Sequence, residues 1–298
     1  MSNLKFSVII PTCHRNELLA ECLERLSKQY YSLGEIEIIV TDDGEISTAE
    51  SMIELNFPFV KWTKGAGRGP AANRNNGARV AKGKWLIFTD DDCLPDPNWI
   101  KEYDKAEQSN PGIMVFEGRT YPDKLKMAFN EVAPINETGG QMPSCNFMVS
   151  RELYWKLGGF DENFKFYFED MDFSYRIKSL GFSSLFLPKA AVCHPWRKVD
   201  SLNFWKTRKF YKESYWKFII KDEDLFKAHS PFFFLKQLIK DIVLDTLANF
   251  YKFKGRGILF NLSHRAIHLD LLIRTLFVTQ EELQKIRKEY SPNHTSQV

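Results

Sequence analysis

Trp85-Leu86-Ile87-Phe88-Thr89-Asp90-Asp91-Asp92 passes from four apolar residues straight into three adjacent carboxylates. A short continuous apolar run reads as a strand buried on both faces, the kind found in a parallel sheet covered by helices. In such sheets ligands bind beyond the carboxyl ends of the strands, which is where the three aspartates fall. Outward from this stretch the same alternation repeats. Phe6-Ser7-Val8-Ile9-Ile10, closed by Pro11, is a strand, and Glu17 to Tyr30 is a helix with Leu18, Leu19, Cys22, Leu23 and Leu26 on one side. Ile36–Val40 and Phe59–Trp62 are further strands, and Pro70 opens a helix that runs to about Ala81. This order predicts an α/β fold with a parallel sheet between helices.

From about residue 110 to 195 the pattern is mixed. Strands are expected near Ile113–Glu117, Phe147–Val149 and Ser184–Leu187, and helices over Arg151–Leu157 and Asp170–Leu180. Beyond Asp200 the chain reads as all helix. Phe232 to Tyr251 carries Leu235, Leu238, Ile239, Ile242, Val243, Leu247 and Phe250 at helical spacing, with Lys236, Lys240, Asp241 and Asp245 largely opposite. Ile258 to Val278 is another helix, and Ser291 to Val298 looks frayed. The expected division is a catalytic part over 1–199 and a helical, basic, aromatic extension over 200–298.

Composition narrows the classes. The 298 residues are 44% hydrophobic and 27% charged, which excludes wholesale disorder, a collagen or a porin. A net charge of +3 is too small to argue for nucleic acid. The charge divides unevenly, with −4 over residues 1–200 and +7 over 201–298. The five cysteines are odd in number and lack CxxC spacing, which argues against a disulfide framework or a zinc ribbon. No apolar run near Met1 has signal-peptide length and no stretch is apolar enough to span a bilayer. A reduced, cytoplasmic protein is the resulting expectation.

Several stretches carry chemistry. Asp90, Asp91 and Asp92 repel one another unless a cation sits among them, and a hard divalent ion suits them. A solvated acidic loop is the competing reading. Asp96, before Pro97, reads as a helix N-cap. Lys64-Gly65-Ala66-Gly67-Arg68-Gly69-Pro70 leads into a helix and reads either as an anion-receiving turn, helped by Arg68 and Arg74, or as a plain flexible turn. Glu169 and Asp170 sit among aromatics at a helix start, where a carboxylate is either a cap or a proton acceptor. Asp172 and Arg176 read as a helix-surface ion pair. His194 alone reads as structural, and His264 and His268 read as ordinary helix residues.

Taken in order, Phe6–Thr12, Val40-Thr41-Asp42-Asp43-Gly44, Gly69-Pro70-Ala71-Ala72-Asn73-Arg74-Asn75-Asn76-Gly77, Phe88–Asp92 and Phe168-Glu169-Asp170 resemble the family 2 glycosyltransferases. The resemblance covers residues 5 to about 195 and implies the GT-A fold, a Rossmann-like, mostly parallel central sheet flanked by helices, here with an all-helical C-terminal extension. It implies sugar transfer from a nucleotide diphosphate with inversion at C1, aided by Mn2+ or Mg2+. Pro11, Thr12 and Asp43 match positions that hold the nucleoside, and Arg74 matches a donor-binding arginine. Asp90-Asp91-Asp92 matches the DXD motif, with Asp90 and Asp91 on the donor and Asp92 on the metal. Asp170 matches the catalytic base with Glu169 in support, and His194 matches, more loosely, a histidine that touches metal or diphosphate. Cys93 stands where many members carry a further acid. The implied partners are a UDP-sugar and a saccharide or lipid-linked saccharide acceptor, without nucleic acid.

A nucleotidyltransferase is the main rival class, but it calls for a glycine-rich loop where this chain has Pro11-Thr12-Cys13-His14-Arg15. A non-catalytic nucleotide-sugar-binding protein would lack the metal motif or the base. Phe204-Trp205-Lys206, Arg208–Lys212 and Tyr215–Phe218 interleave rings and cations. Such helices either lie on the anionic inner face of the plasma membrane, or pack on the catalytic part or form an oligomer interface.

Overall fold

The computed structural model describes residues 4–46 and 48–290, so the expectation for 291–298 lies outside the described residues. The strands are β1 (Phe6–Thr12), β2 (Ile36–Asp42), β3 (Val60–Lys64), β4 (Trp85–Phe88), β5 (Leu94–Pro95), β6 (Val115–Tyr121), β7 (Glu131–Val132), β8 (Phe147–Ser150), β9 (Leu185–Cys193) and β10 (Arg197–Lys198). The helices among them are α1 (Asn16–Ser27), α2 (Glu50–Asn56), α3 (Pro70–Val80), α4 (Trp99–Ser109), α5 (Arg151–Lys156) and α6 (Glu169–Ser179). The chain gathers into two compact units, Met1–Leu125 with Ala133–Trp196, and Lys126–Val132 with Arg197–Val298.

The first unit holds an eight-stranded sheet in the order β3-β2-β1-β4-β8-β6-β9-β5. Strands β3, β2, β1 and β4 are parallel, while β8 runs against both β4 and β6. Side chains alternate across a strand. Phe6, Val8 and Ile10 therefore join Leu19, Leu23 and Leu26 of α1 and Trp99 of α4 in one core layer. Ile9, Leu86 and Phe88 meet Ala71 and Ala78 of α3 and Phe173 and Ile177 of α6 in the other. Burial on both faces explains the unbroken apolar run of β4 and the largely apolar run of β1, broken only by Ser7 before its carboxyl end. Because β1 is flanked by β2 on one side and β4 on the other, the strand order reverses there. The carboxyl ends of β1 and β4 thus border the crevice where open α/β sheets take ligands.

Two local expectations need correction. Asp96 does not cap α4, whose N-cap is Asn98. Its carboxylate instead accepts the Tyr121 hydroxyl at 2.7 Å, and only its backbone carbonyl receives the Trp99 amide. The Asp172–Arg176 pair exists, with Nε 2.8 Å from the carboxylate, but Asp172 is fully buried. Arg176 also donates to the carbonyls of Leu157 and Gly159, so it ties α6 to the turn after α5.

In the second unit, β7 pairs antiparallel with β10. The helices are α7 (Ser201–Ile220), α8 (Glu223–Ala228), α9 (Pro231–Ile239), α10 (Leu247–Phe253), α11 (Ile258–Phe277) and α12 (Gln280–Tyr290). A π-helical turn, Lys240–Thr246, joins α9 to α10 without a break. Ser230 caps α9 by accepting the Phe233 amide, and Pro231 follows at the first helical position. Among the described side chains of α7, Phe204, Tyr215, Trp216 and Phe218 are buried, Tyr211 is half-buried and Phe210 is exposed. Asp241 is also buried, 2.7 Å from Arg265 and 3.0 Å from His268 Nδ1. The α9–α10 segment therefore turns Phe234 and Asp241 inward and leaves Leu235, Ile239, Ile242, Leu247 and Phe250 exposed.

Candidate active site

Three chain segments converge at the carboxyl rim of β1 and β4. Thr12, the last residue of β1, donates its hydroxyl to Asp91 Oδ2 at 2.8 Å. Just beyond it, His14 takes a left-handed φ of 55°, and the turn delivers Arg15 to the aspartates. The Arg15 guanidinium lies 2.7 Å from Asp91 Oδ1 and 2.6 Å from Asp92 Oδ2. It supplies the positive charge that three adjacent carboxylates require. Burial still pushes Asp91 up to about 7, with the neighbouring carboxylates adding to the shift and Arg15 opposing it.

Arg74 occupies the other side of the triplet. It is buried on α3, with Nη2 2.6 Å from Asp90 Oδ1 and Nη1 3.1 Å from Glu169 Oε1. The Phe160 ring lies 5.7 Å from the guanidinium carbon. Arg74 thus fastens the tip of β4 to the start of α6. Phe168, with a left-handed φ of 72°, precedes that helix and turns Glu169 and Asp170 into the rim. The amides of Met171 and Ser144 donate to Asp170. Burial raises both carboxyls above their ordinary range, Glu169 to about 7, and the charge of Asp170 adds to the shift of Glu169. A carboxylate with raised pKa is a stronger base.

The glycine-rich turn is a cradle for an internal anion. Asp43 accepts the Gly67 amide at 2.8 Å and the Gly69 amide at 3.2 Å. A Cβ at Gly65 would overlap the oxygens of Asp43 and Asn73, and Gly69 sits at φ 96° against the Lys165 carbonyl. Arg68 pairs with Glu162 at 2.7 Å. Asn73 donates to the carbonyls of Thr12 and Thr41, so it pins the ends of β1 and β2 to α3. Pro11 lies buried in β1 beside these contacts.

Asp92 and His194 form the third cluster. His194 Nε2 is 3.3 Å from Asp92 Oδ1, and its Nδ1 lies 3.1 Å from the Pro195 carbonyl. Burial works against a charged ring, yet the bond to Asp92 outweighs it and lifts His194 to about 9. Cys93 completes the group, its sulfur within 4.8 Å of both ligand atoms. Burial drives the Cys93 thiol well above its usual range, so it stays protonated. Among the described residues this is the one cluster of histidine, cysteine and acid with metal-ligand spacing. Its donor set, one carboxylate and one imidazole that are both buried, suits a divalent ion completed by substrate oxygens.

Sequence reasoning selected Pro11, Thr12, Asp43, Arg74, Asp90, Asp91, Asp92, Glu169, Asp170 and His194. Direct bonds link Thr12 to Asp91, Arg74 to Asp90 and Glu169, and Asp92 to His194. Asp43 joins Thr12 through its backbone amide, 2.9 Å from the Thr12 carbonyl, while its carboxylate is taken up by the glycine loop. The residue missed was Arg15. Its signal was available, since a triple aspartate needs a counter-charge and Arg15 closes the turn after the neighbouring strand.

The model of the family described as Glycosyl transferase family 2 matches residues 7–172. The "Uncharacterized glycosyltransferase" of Haemophilus influenzae is 29% identical over 185 residues, which is 57% of this chain and 61% of that protein. The chain spans about half the length of the curated relatives it matches. Among solved structures, the mannosyltransferase PcManGT from Pyrobaculum calidifontis, in complex with GDP-Man and Mn2+, superposes with a TM-score of 0.59 at 17% identity. It covers 92% of this chain and 87% of its own. S. aureus TarS 1-349 in complex with UDP gives a TM-score of 0.54 at 18% identity, covering 97% and 91%.

Proposed function

The chain belongs to glycosyl transferase family 2 and has the GT-A fold, and from that premise we propose that it is a metal-dependent, inverting transferase. It moves a sugar from a nucleoside diphosphate, a UDP-sugar in this reading, to a saccharide acceptor that is lipid-linked. The observation that carries the reading is Arg74, which joins the donor-side Asp90 to Glu169, next to the candidate base. UDP in one structural neighbour and GDP-Man with Mn2+ in another support a nucleotide-sugar donor.

In this reading Thr12, Asp43 and Pro11 line the nucleoside, and Asp90 and Asp91 take donor hydroxyls. Asp92 and His194 would hold Mn2+ or Mg2+, which supplies positive charge to the departing diphosphate. The Pro195 carbonyl orients His194 through Nδ1 and keeps Nε2 toward Asp92. Asp170 takes the proton of the acceptor hydroxyl, and its raised pKa favours that transfer. Glu169, anchored by Arg74, keeps Asp170 at the rim. A single base opposite the leaving group gives one displacement and inversion at C1.

The catalytic work falls to residues 1–199 and the 200–298 helices serve the acceptor side, with the protein cytoplasmic and peripheral on the inner face of the plasma membrane. No helix among the described residues is long and apolar enough to cross a membrane. The test is a thermal-shift panel of UDP-, GDP- and TDP-sugars with and without Mn2+, followed by the anomeric configuration of the product. Donor stabilisation follows mass action, so a bound donor raises the melting temperature. Stabilisation that needs both donor and Mn2+, and that Asp92→Asn removes, supports the reading. A retained anomeric configuration refutes the single displacement.

A further inference from the structure

The exposed face of the α9–α10 helix is apolar over its whole length, and its phase is kept by the π-helical turn. Phe232, Leu235, Ile239, Ile242, Leu247 and Phe250 are each at least 43% exposed. Their spacing follows the three- and four-residue steps of an α-helix except between Ile242 and Leu247, where it is five. On an uninterrupted α-helix that step would swing Leu247 about 140° away from the stripe. The turn at Lys240–Thr246 is π-helical, with i to i+5 geometry, so a five-residue step stays on one face. The buried face carries the same signature, since Asp241 and Thr246 are both buried and also five apart. The extra residue of the turn therefore aligns two halves of one stripe.

Exposed charge on this segment is mostly positive. Lys236, Lys240, Lys252, Lys254 and Arg256 are exposed. Of the two acids between 231 and 256, Asp241 is buried against Arg265 and His268, which leaves Asp245 alone near the surface. A face-to-face dimer through this stripe would set the same cations against each other, because a two-fold contact uses one patch twice. An anionic lipid surface instead accepts both the apolar stripe and the cations.

We propose that the helix over 231–253 lies in the plane of an anionic membrane surface, with its exposed stripe among the acyl chains and its lysines at the headgroups. This moves the membrane contact from α7, whose Phe204, Tyr215, Trp216 and Phe218 are buried, to α9–α10. It rests on the lipid-linked acceptor reading for its purpose but not for its geometry.

The test is flotation of the full chain with vesicles of equal parts phosphatidylglycerol and phosphatidylcholine, against phosphatidylcholine alone. The vesicles contain neither donor nor acceptor, so the outcome is independent of transfer, which is followed separately on a soluble acceptor. The chain is expected to float with the anionic vesicles and about tenfold less with neutral ones. Phe232→Ser with Ile239→Ser should lower binding about tenfold or more, since binding scales with buried apolar area. Its circular dichroism and its activity on the soluble acceptor should stay unchanged. Lys236→Gln with Lys240→Gln should lower only the anionic preference. A chain that stays in solution with both vesicle types, or a serine variant that floats like the wild type, overturns the proposal. A dimer in sedimentation equilibrium that the serine variant dissolves, without vesicle binding, assigns the stripe to a second copy and also overturns it.

Discussion

Replacing Arg74 with methionine removes the charge that joins Asp90 to Glu169 while keeping most of the side-chain volume. The loss can be worked from the two contacts. The bond to Glu169 is 3.1 Å long between side chains 4% and 9% exposed, so it counts at nearly full strength, about 2 kcal/mol for a charge-assisted bond. The bond to Asp90 is shorter at 2.6 Å, but that carboxylate is 24% exposed, and solvent screening reduces it to about 1 kcal/mol. The expected cost is therefore about 3 kcal/mol where Glu169 is ionised, near pH 8. Glu169 titrates at about 7 in the folded chain. Toward about pH 6 it is mostly protonated, its bond to Arg74 is no longer an ion pair and weakens to about 1 kcal/mol, and the cost falls to about 2 kcal/mol.

The sign follows from linkage. The folded pKa of Glu169 lies above its unfolded value of about 4.3, so its contribution is full below that value and is lost as pH rises through 7. Without Arg74 its pKa climbs further and the loss continues to higher pH. Urea midpoints at constant m-value measure the cost, and a double-mutant cycle with Glu169→Gln isolates the pair. A coupling below about 0.5 kcal/mol near pH 8, or one that does not change with pH, refutes the assignment of Arg74 as the tie between β4 and α6.

Asp170→Asn should lower the transfer rate by about 10²–10⁴-fold and leave donor stabilisation in thermal shift nearly intact, and transfer at the wild-type rate would show that another group takes the proton. Arg15→Gln should cost about 1–2 kcal/mol in metal-free protein, because Arg15 bonds two carboxylates yet is 32% exposed. The same variant should gain more stabilisation from Mn2+ than the wild type does, and an equal or smaller gain in differential scanning fluorimetry would show that Arg15 is not standing in for a cation.

The parallel half of the sheet was legible because β1 and β4 are buried on both faces and so wrote themselves as continuous or nearly continuous apolar runs. The strand-tip residues were legible for the same reason, since the topology rule locates ligand groups once the strands are known. What could not be read depends on contacts between distant residues. Asp96 precedes Pro97 as an N-cap would, but Tyr121 lies near enough to claim its carboxylate. Asp172 and Arg176 have surface spacing, and only the fold of 157–159 over them makes the pair internal. Periodicity over 232–251 identified a helix and its two faces, but not which face turns inward. A buried Asp241 runs against the hydrophobic pattern and is tolerated only because Arg265 and His268 meet it from α11. The π-turn leaves its trace as a single five-residue step, too small to be read without the burial pattern.

Charge at the rim bears on the order in which metal and donor bind. Asp92 contributes one negative charge to the candidate cation site, while Cys93 stays a neutral thiol where many members of the family carry an acid. Arg15 lies 2.6 Å from the same Asp92 and largely offsets that charge. Protonated His194 would add a second positive group, which must lose its proton before Nε2 can act as a ligand. A nearly neutral pair of ligands holds a divalent ion weakly, because affinity for hard cations grows with the number of charged oxygens. The missing negative charge has an obvious source in the diphosphate of the donor itself. Metal and nucleotide sugar are then expected to bind as a unit, each weak alone and strong together. Loss of the diphosphate after transfer would return Asp91 and Asp92 to Arg15.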